Sequence, residues 1–320
     1  MTPSSTVPLR FIGCDVGKHE IVAFDTARNT TLCIPNTPKD LSRFAHTLDA
    51  QSFVVCEATG GYEAALLEAL LAARVPAHRA DARKVKAFIR SFGTLGKTDA
   101  IDAKALARYG CERYTKLPLW HAPDKHRAKL QALVLVRSDL VKERTAYTNR
   151  LKAPGGLHGA AYLKKVCATI ERQIQAVERD IAALVEDHEA LAQSARVLQS
   201  IVGIGPTSAM ALIALMPELG GLNRRQAAAL AGLAPHPFES GTAKGYRKTR
   251  GGRPEVKRVL FMAALSAAKH NPELKTFHQR LCKNGKKPIV AITAVMRKLI
   301  IIANAKIRDE IKIQGKYELS

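Results

Sequence analysis

Two short apolar runs, FIGC at 11–14 and SFVVC at 52–56, each lead straight into a carboxylate, Asp15 and Glu57. Runs this short and this apolar read as strands. A glycine-containing turn and two further strand-like segments, Ile21 to Phe24 and Leu32 to Ile34, follow the first run. The polar, glycine-rich ATGGYE follows the second. Helical patterns lie between and after them, at LSRFAHTLDA, EAALLEALLAARV, ARKVKAFIRSFG and DAIDAKALARYG, and PAHRAD offers one more short strand. Strands alternating with helices predict an α/β domain over residues 8–120.

From Asp124 the character changes. DKHRAKLQALVLVRSDLVKERTAYTNRLK is charged, amphipathic and free of Gly and Pro, and predicts one long helix. APGGLHGA interrupts it, and YLKKVCATIERQIQAVERDIAALVEDHEALAQ predicts a second. Residues 121–194 thus read as a helical hairpin or coiled-coil linker, whose plainest use is as a spacer or oligomerisation element. Residues 195–316 read as a mostly α C-terminal domain. Within it VLQSIVGIGPTSAMALIALM is a helix, a tight glycine turn and a helix, and PHPFESGTAKGYRKTRGGRP is a basic loop rich in helix breakers.

The chain has 320 residues, 47% of them hydrophobic, enough to bury a core. Its formal net charge is +22. An excess of that size points to a polyanion, most often nucleic acid, with an anionic membrane surface as the competitor. MTPSSTVPLR lacks an apolar core, so no secretory signal is expected, and Arg297 and Lys298 break the longest apolar stretch. A soluble, intracellular protein with no membrane partner is the expectation. The six cysteines are scattered, with no C-x-x-C pair, which argues against structural zinc and a disulfide framework. Cys14 and Cys56 sit in strand-like runs as core residues.

Four carboxylates stand out by position. Asp15 and Glu57 end apolar strands, and Asp99 and Asp102, three apart in KTDAIDAKALA, share one helix face. Each has an ordinary reading: a strand-end turn residue, a first-turn acid on a helix dipole, a solvated face. Converging on one pocket in so basic a protein, the set would need compensation. Mg²⁺ or Mn²⁺ takes oxygen ligands and bridges to phosphate.

Two further features fit a phosphate partner. In VGIGPTSA, Gly203 and Gly205 form a helix-hairpin-helix-like turn that lets backbone approach a phosphate at a helix N-terminus, or else simply join two core helices. In the basic loop, Ser240 stands beside Gly241 and is followed by Lys244, Arg247, Lys248, Arg250 and Arg253. The cations suit a phosphate-binding surface. The serine is either a turn hydroxyl or a nucleophile.

The order FIGCDVGKHE, VVCEATGGYE, GKTDAIDAKALA, SIVGIGPTSAMALIALM and AGLAPHPFESG resembles the DEDD transposases of the IS-one-ten family and the related Piv-type DNA invertases, over nearly the whole chain. The resemblance implies an RNase H-like, RuvC-like first domain, with Asp15, Glu57, Asp99 and Asp102 as the metal-binding tetrad and Ser240 as the nucleophile. It also implies donor and target DNA and a structured guide RNA. Strand exchange needs at least two cleavage centres, and the arm is long enough to separate the two domains, so a dimer or tetramer of the chain is expected. The function expected is therefore a site-specific DNA recombinase. The rivals are a hydrolytic junction nuclease on the same fold, in which Ser240 is passive, and a non-catalytic nucleic-acid-binding protein whose acids are structural.

Overall fold

The computed structural model describes residues 8, 10–93, 98–156, 158–237, 239–240, 243–244 and 248–317. They fall into two compact units, Met1–Ala122 and Pro123–Ser320. The first is a mixed α/β unit and the second is mostly helical.

In the first unit, β1 (Arg10–Val16), β2 (Glu20–Asp25) and β3 (Thr30–Pro35) form an antiparallel meander. Helix α1 (Pro38–His46) crosses over to β4 (Ser52–Glu57), and α2 (Ala64–Ala72) to β5 (Ala77–Ala80). Both β4 and β5 run parallel to β1, giving the sheet order β3-β2-β1-β4-β5. Two more helices follow, α3 (Ala82–Arg90) and α4 (Asp99–Arg113).

The period-2 alternation of strands sorts side chains onto two faces. Ile12, Cys14, Val54 and Cys56 pack with Leu41 and Phe44 of α1 and Leu66, Leu67 and Leu70 of α2. Phe11, Phe53 and Val55 face the other way, with Val85 and Phe88 of α3 and Leu106 and Tyr109 of α4. The central strands are thus covered on both sides, which is why they are apolar throughout. Burial pushes the Cys14 thiol well up and the Cys56 thiol to about 12, so both are inert core residues. Trp120 packs against the first of these clusters.

Helix α4 lies against the sheet at two glycines. A Cβ at Gly13 would fall 2.0 Å from the Ala103 carbonyl oxygen, and one at Gly110 would fall 2.8 Å from Val55 Cγ2. Ala103 thus lies over the middle of β1 and Gly110 near Phe11 at its start, so α4 runs antiparallel to the strand. Its first turn, with Asp99 and Asp102, comes to the strand's C-terminal end.

The second unit opens with α5 (Lys125–Lys152) and α6 (Ala160–Glu186), which form an antiparallel hairpin across APGGLHG. Arg137 pairs with Glu178 and Arg144 with Glu171 along it. Only Leu130 and Val134 of α5 are buried, both toward its N-terminal end.

The second long helix is not continuous to residue 193 as its periodicity predicts. It stops at Asp187, His188 takes an extended backbone, and α7 (Glu189–Gln199) starts afresh. The break redirects Leu191, Ala195 and Leu198 into the core of the unit. Helices α8 (Pro206–Leu215), α9 (Arg224–Leu230), α10 (Pro254–His270), α11 (Pro272–Lys283) and α12 (Pro288–Tyr317) complete it. By length and composition α12 could cross a membrane. In the fold it is a core helix, with Ala291, Val295, Leu299, Ile300 and Ala303 fully buried and Asn304 bridging Gly220 N–H and the Leu222 carbonyl.

The stretch expected as a basic loop carries two short antiparallel ladders. β6 (Pro235–His236) pairs with β9 (Lys248–Thr249), and β7 (Glu239–Ser240) pairs with β8 (Ala243–Lys244).

Candidate functional site

The strand ends of the first unit carry the acids. Cys14 and Cys56 are register partners on β1 and β4, so Asp15 and Glu57, the next residues, stand abreast. Gly13 and Val55 both face α4, and by alternation so do Asp15 and Glu57. Thr98 caps α4 by accepting the Ile101 N–H, and Asp99 and Asp102 occupy its first turn, where the helix dipole favours negative charge.

A cavity of about 390 Å³ opens at this edge, lined by Asp15, Lys18, His19, Glu20 and Asp99 with Val16, Gly17 and Val22. The structure thus brings Asp15 and Asp99, distant in sequence, to one cavity. Glu57 and Asp102 lie beside it, both half-buried, outside its lining. Glu20 is a third carboxylate on the cavity that the motif reading passed over. The sequence signal is Gly17, a turn residue between two strand-like runs; in the fold its N–H donates to the Glu20 carbonyl at 2.9 Å, closing a tight turn that returns Glu20 to the edge Asp15 leaves. An oxygen-rich donor set at a helix N-terminus fits a hard divalent cation.

The turn after Glu57 is held by a second acid. Glu63 is almost fully buried, and its Oε2 accepts the Gly61 N–H at 2.9 Å and the Thr59 N–H at 3.1 Å. Its Oε1 takes Arg79 Nε at 2.7 Å. Burial pushes the Glu63 carboxyl up, but backbone donors and the Arg79 guanidinium outweigh it and hold it below the usual glutamate range. Gly60 and Gly61 both adopt positive φ here, +73° and +107°, as a side chain rarely does. Asn36 ties this turn to the other strand end, donating to the carbonyls of Gly17 at 2.9 Å and Tyr62 at 3.2 Å. Tyr62 itself is half-exposed beside the turn.

In the second unit, the two turn glycines separate. Gly203 has φ +111°, and a Cβ there would fall 2.5 Å from that of Ala267 on α10, so its lack of a side chain serves helix packing. Gly205 caps α8 with ordinary φ and faces open space.

The cations separate likewise. Arg253 donates to both oxygens of Glu218, at 2.8 and 2.6 Å, and to the Leu215 carbonyl at 2.7 Å, binding the start of α10 to the end of α8. Lys248 and Arg250 are exposed. Ser240 lies on β7 opposite Ala243, with Lys244 on β8. Gly241 and Arg247 lie outside the described residues.

Comparison with known proteins places the chain among transposases and DNA-inverting proteins. A family model for DEDD transposases of IS110, described as "Transposase", matches residues 12–154, and one described as "Transposase IS116/IS110/IS902 family" matches residues 195–279. The chain is 28% identical over 315 residues to a pilin gene-inverting protein of Moraxella bovis, covering 93% of this chain and 96% of that one. A pilin gene-inverting protein of Moraxella lacunata is 27% identical over the same shares. An uncharacterized 43.6 kDa protein of insertion element IS110 from Streptomyces coelicolor is 31% identical over 115 residues, 35% of this chain and 28% of that one. The chain belongs to the IS110 family of DEDD transposases and is a transposase or recombinase enzyme.

Proposed function

We propose that this protein is an RNA-guided, site-specific DNA recombinase that cuts and rejoins strands through a serine–phosphate ester. The observation that carries the reading is the meeting of Asp15 and Asp99 on one cavity, with Glu57 abreast of Asp15 and Asp102 in the same helical turn as Asp99. The sheet order, an antiparallel meander continued by two parallel strands, supports an RNase H-like unit. The four acids are its metal ligands, and Mg²⁺ or Mn²⁺ bound there would neutralise charge developing on a phosphate.

Ser240 is the nucleophile. Its Oγ bonds to phosphorus, a bridging P–O bond of the strand breaks, and the leaving oxygen takes up a proton as a strand-end hydroxyl. The ester keeps the bond energy, so a second strand end can reverse the step without an external energy source. Lys244, Arg247, Lys248 and Arg250 hold the scissile backbone, and Gly205 and Gly241 permit close approach. The +22 charge supports DNA and a structured guide RNA as partners. The exposed outer part of the α5–α6 hairpin supports its use as a spacer and a contact between copies of the chain.

The test mixes protein, Mg²⁺ and labelled site DNA, denatures, and looks for label that stays with protein. An adduct mapped to Ser240 and absent from Ser240→Ala is expected. Free ends with no adduct at any time point would favour water attack. RNase treatment should abolish site choice, and site-specific recombination by RNA-free protein would remove the guide.

A further inference from the structure

A second group of metal-ligating side chains gathers at the root of the helical hairpin, wholly within the second unit. Asp124 caps α5, His126 lies in the first turn of α5, and His188 caps α7. One ring nitrogen from each histidine and one Asp124 oxygen all lie within 4.8 Å of one another. The two imidazole centroids are 4.5 Å apart. Asp124 Oδ1 is held by the Arg127 N–H at 2.8 Å, while Oδ2 stands 3.9 Å from His126 Nδ1. The carboxylate is therefore oriented by its capping bond, as ligating carboxylates are.

An independent observation points to a missing partner. Among the described residues, His188 Nδ1 is the buried side-chain polar atom with no hydrogen bond. Buried polar atoms in folded proteins are nearly always satisfied. His188 is also the residue at which the second long helix breaks against its own periodicity.

We propose that Asp124, His126 and His188 form a binding site for a transition-metal dication of the zinc class. Two imidazoles and one carboxylate are a borderline-soft donor set, which favours Zn²⁺ over the hard Mg²⁺ of an all-oxygen site. Three protein ligands leave a fourth position for water. The ion fastens the start of α5 to the start of α7, and so fixes the base of the arm to the helical core.

The test uses the full-length protein stripped with chelator. Titration with Co²⁺ should give visible absorption bands of a tetrahedral nitrogen-containing site at one ion per chain, displaced by Zn²⁺ and not by excess Mg²⁺. Zn²⁺ should raise the melting temperature, reversibly with EDTA. His126→Ala and His188→Ala should each weaken Zn²⁺ binding by about tenfold or more. The double variant Asp15→Asn/Asp99→Asn should leave it unchanged, which separates this site from the acid cavity. Should His188→Ala fail to fold, the exposed His126 carries the test alone. Equal Zn²⁺ affinity in wild type and His126→Ala overturns the site. So does a histidine pair that shares a proton, seen by NMR titration, and takes up no Zn²⁺.

Discussion

Gly13 on β1 faces the Ala103 carbonyl of α4 so closely that a Cβ would fall 2.0 Å from that oxygen. The contact sets how near α4 comes to the sheet, and hence where Asp99 stands relative to Asp15. The obstacle is backbone, which cannot rotate away. Gly13→Ala should destabilise the protein by about 1–3 kcal/mol, as overpacking does. It should also weaken Mg²⁺ binding in the molecules that fold. Urea unfolding measures the first, and an unchanged midpoint would mean that α4 shifts without cost.

Asp15→Asn, Glu57→Gln, Asp99→Asn and Asp102→Asn should each lose DNA cleavage to background while keeping the wild-type circular dichroism spectrum. Calorimetric Mn²⁺ titration should show the loss of affinity first in Asp15→Asn and Asp99→Asn, which share the cavity. Undiminished cleavage in excess EDTA would take the metal out of the mechanism.

Acid should loosen the first unit through Glu63 and Asp25. Burial raises both carboxyls, but donors win and hold both below their ordinary values: backbone N–H groups and Arg79 for Glu63, Arg10 and backbone N–H groups for Asp25. A depressed folded pKa gives stability that is complete above the unfolded value, 4.5 for glutamate and 3.8 for aspartate. It drains as pH falls through the folded value. Glu63→Gln should flatten this acid limb, read by melting temperature between neutral pH and pH 3, and lower cleavage at neutral pH by loosening the turn after Glu57. An acid limb identical to wild type would mean that Glu63 is not the titrating group.

The two glycines of VGIGPT should behave as opposites. Gly203→Ala meets Ala267 at positive φ and should lower stability by about 1–3 kcal/mol. Gly205→Ala meets open space at ordinary φ and should cost only about 0.5 kcal/mol, the difference between glycine and alanine at the N-cap of α8, while weakening nucleic-acid binding. Equal effects of both on stability alone would make the turn purely architectural.

Nucleic-acid affinity should fall steeply with salt. Lys248→Ala and Arg250→Ala should each reduce the slope of log K against log salt by about 1. Arg253→Ala should instead cost about 1 kcal/mol of stability, because its bonds go to the half-exposed Glu218 and the Leu215 carbonyl. Filter binding at several salt concentrations separates the two kinds of arginine.

What the sequence made legible was local. An apolar run ending at Asp15 or Glu57 announces a strand and its end, and three-residue spacing puts Asp99 and Asp102 on one helical face. The rest was carried by contacts between distant residues. Glu63 needs Arg79, Gly13 needs Ala103 and Gly203 needs Ala267, and no short-range pattern reports them. The break at His188 was hidden for another reason. DHE holds neither glycine nor proline, so only burial of Leu191 and Leu198 on a new axis reveals it. Arg253 read as one cation in a run because charge counts cannot tell a guanidinium used inside the fold from one left at the surface.

The segment that carries Ser240 leaves and re-enters the helical core at one point. Gly232 and Gly252 touch there, with a would-be Cβ on Gly252 only 2.1 Å from Gly232 N, and the Arg253 N–H donates to the Leu230 carbonyl at 2.9 Å. A chain pinched shut at its feet behaves toward the core as a closed ring. Doubling the length of such a ring costs only about 0.6 kcal/mol of closure entropy. Relatives of this enzyme could therefore lengthen, shorten or exchange the whole excursion, and so change how far the serine reaches, without repacking a single helix beneath it.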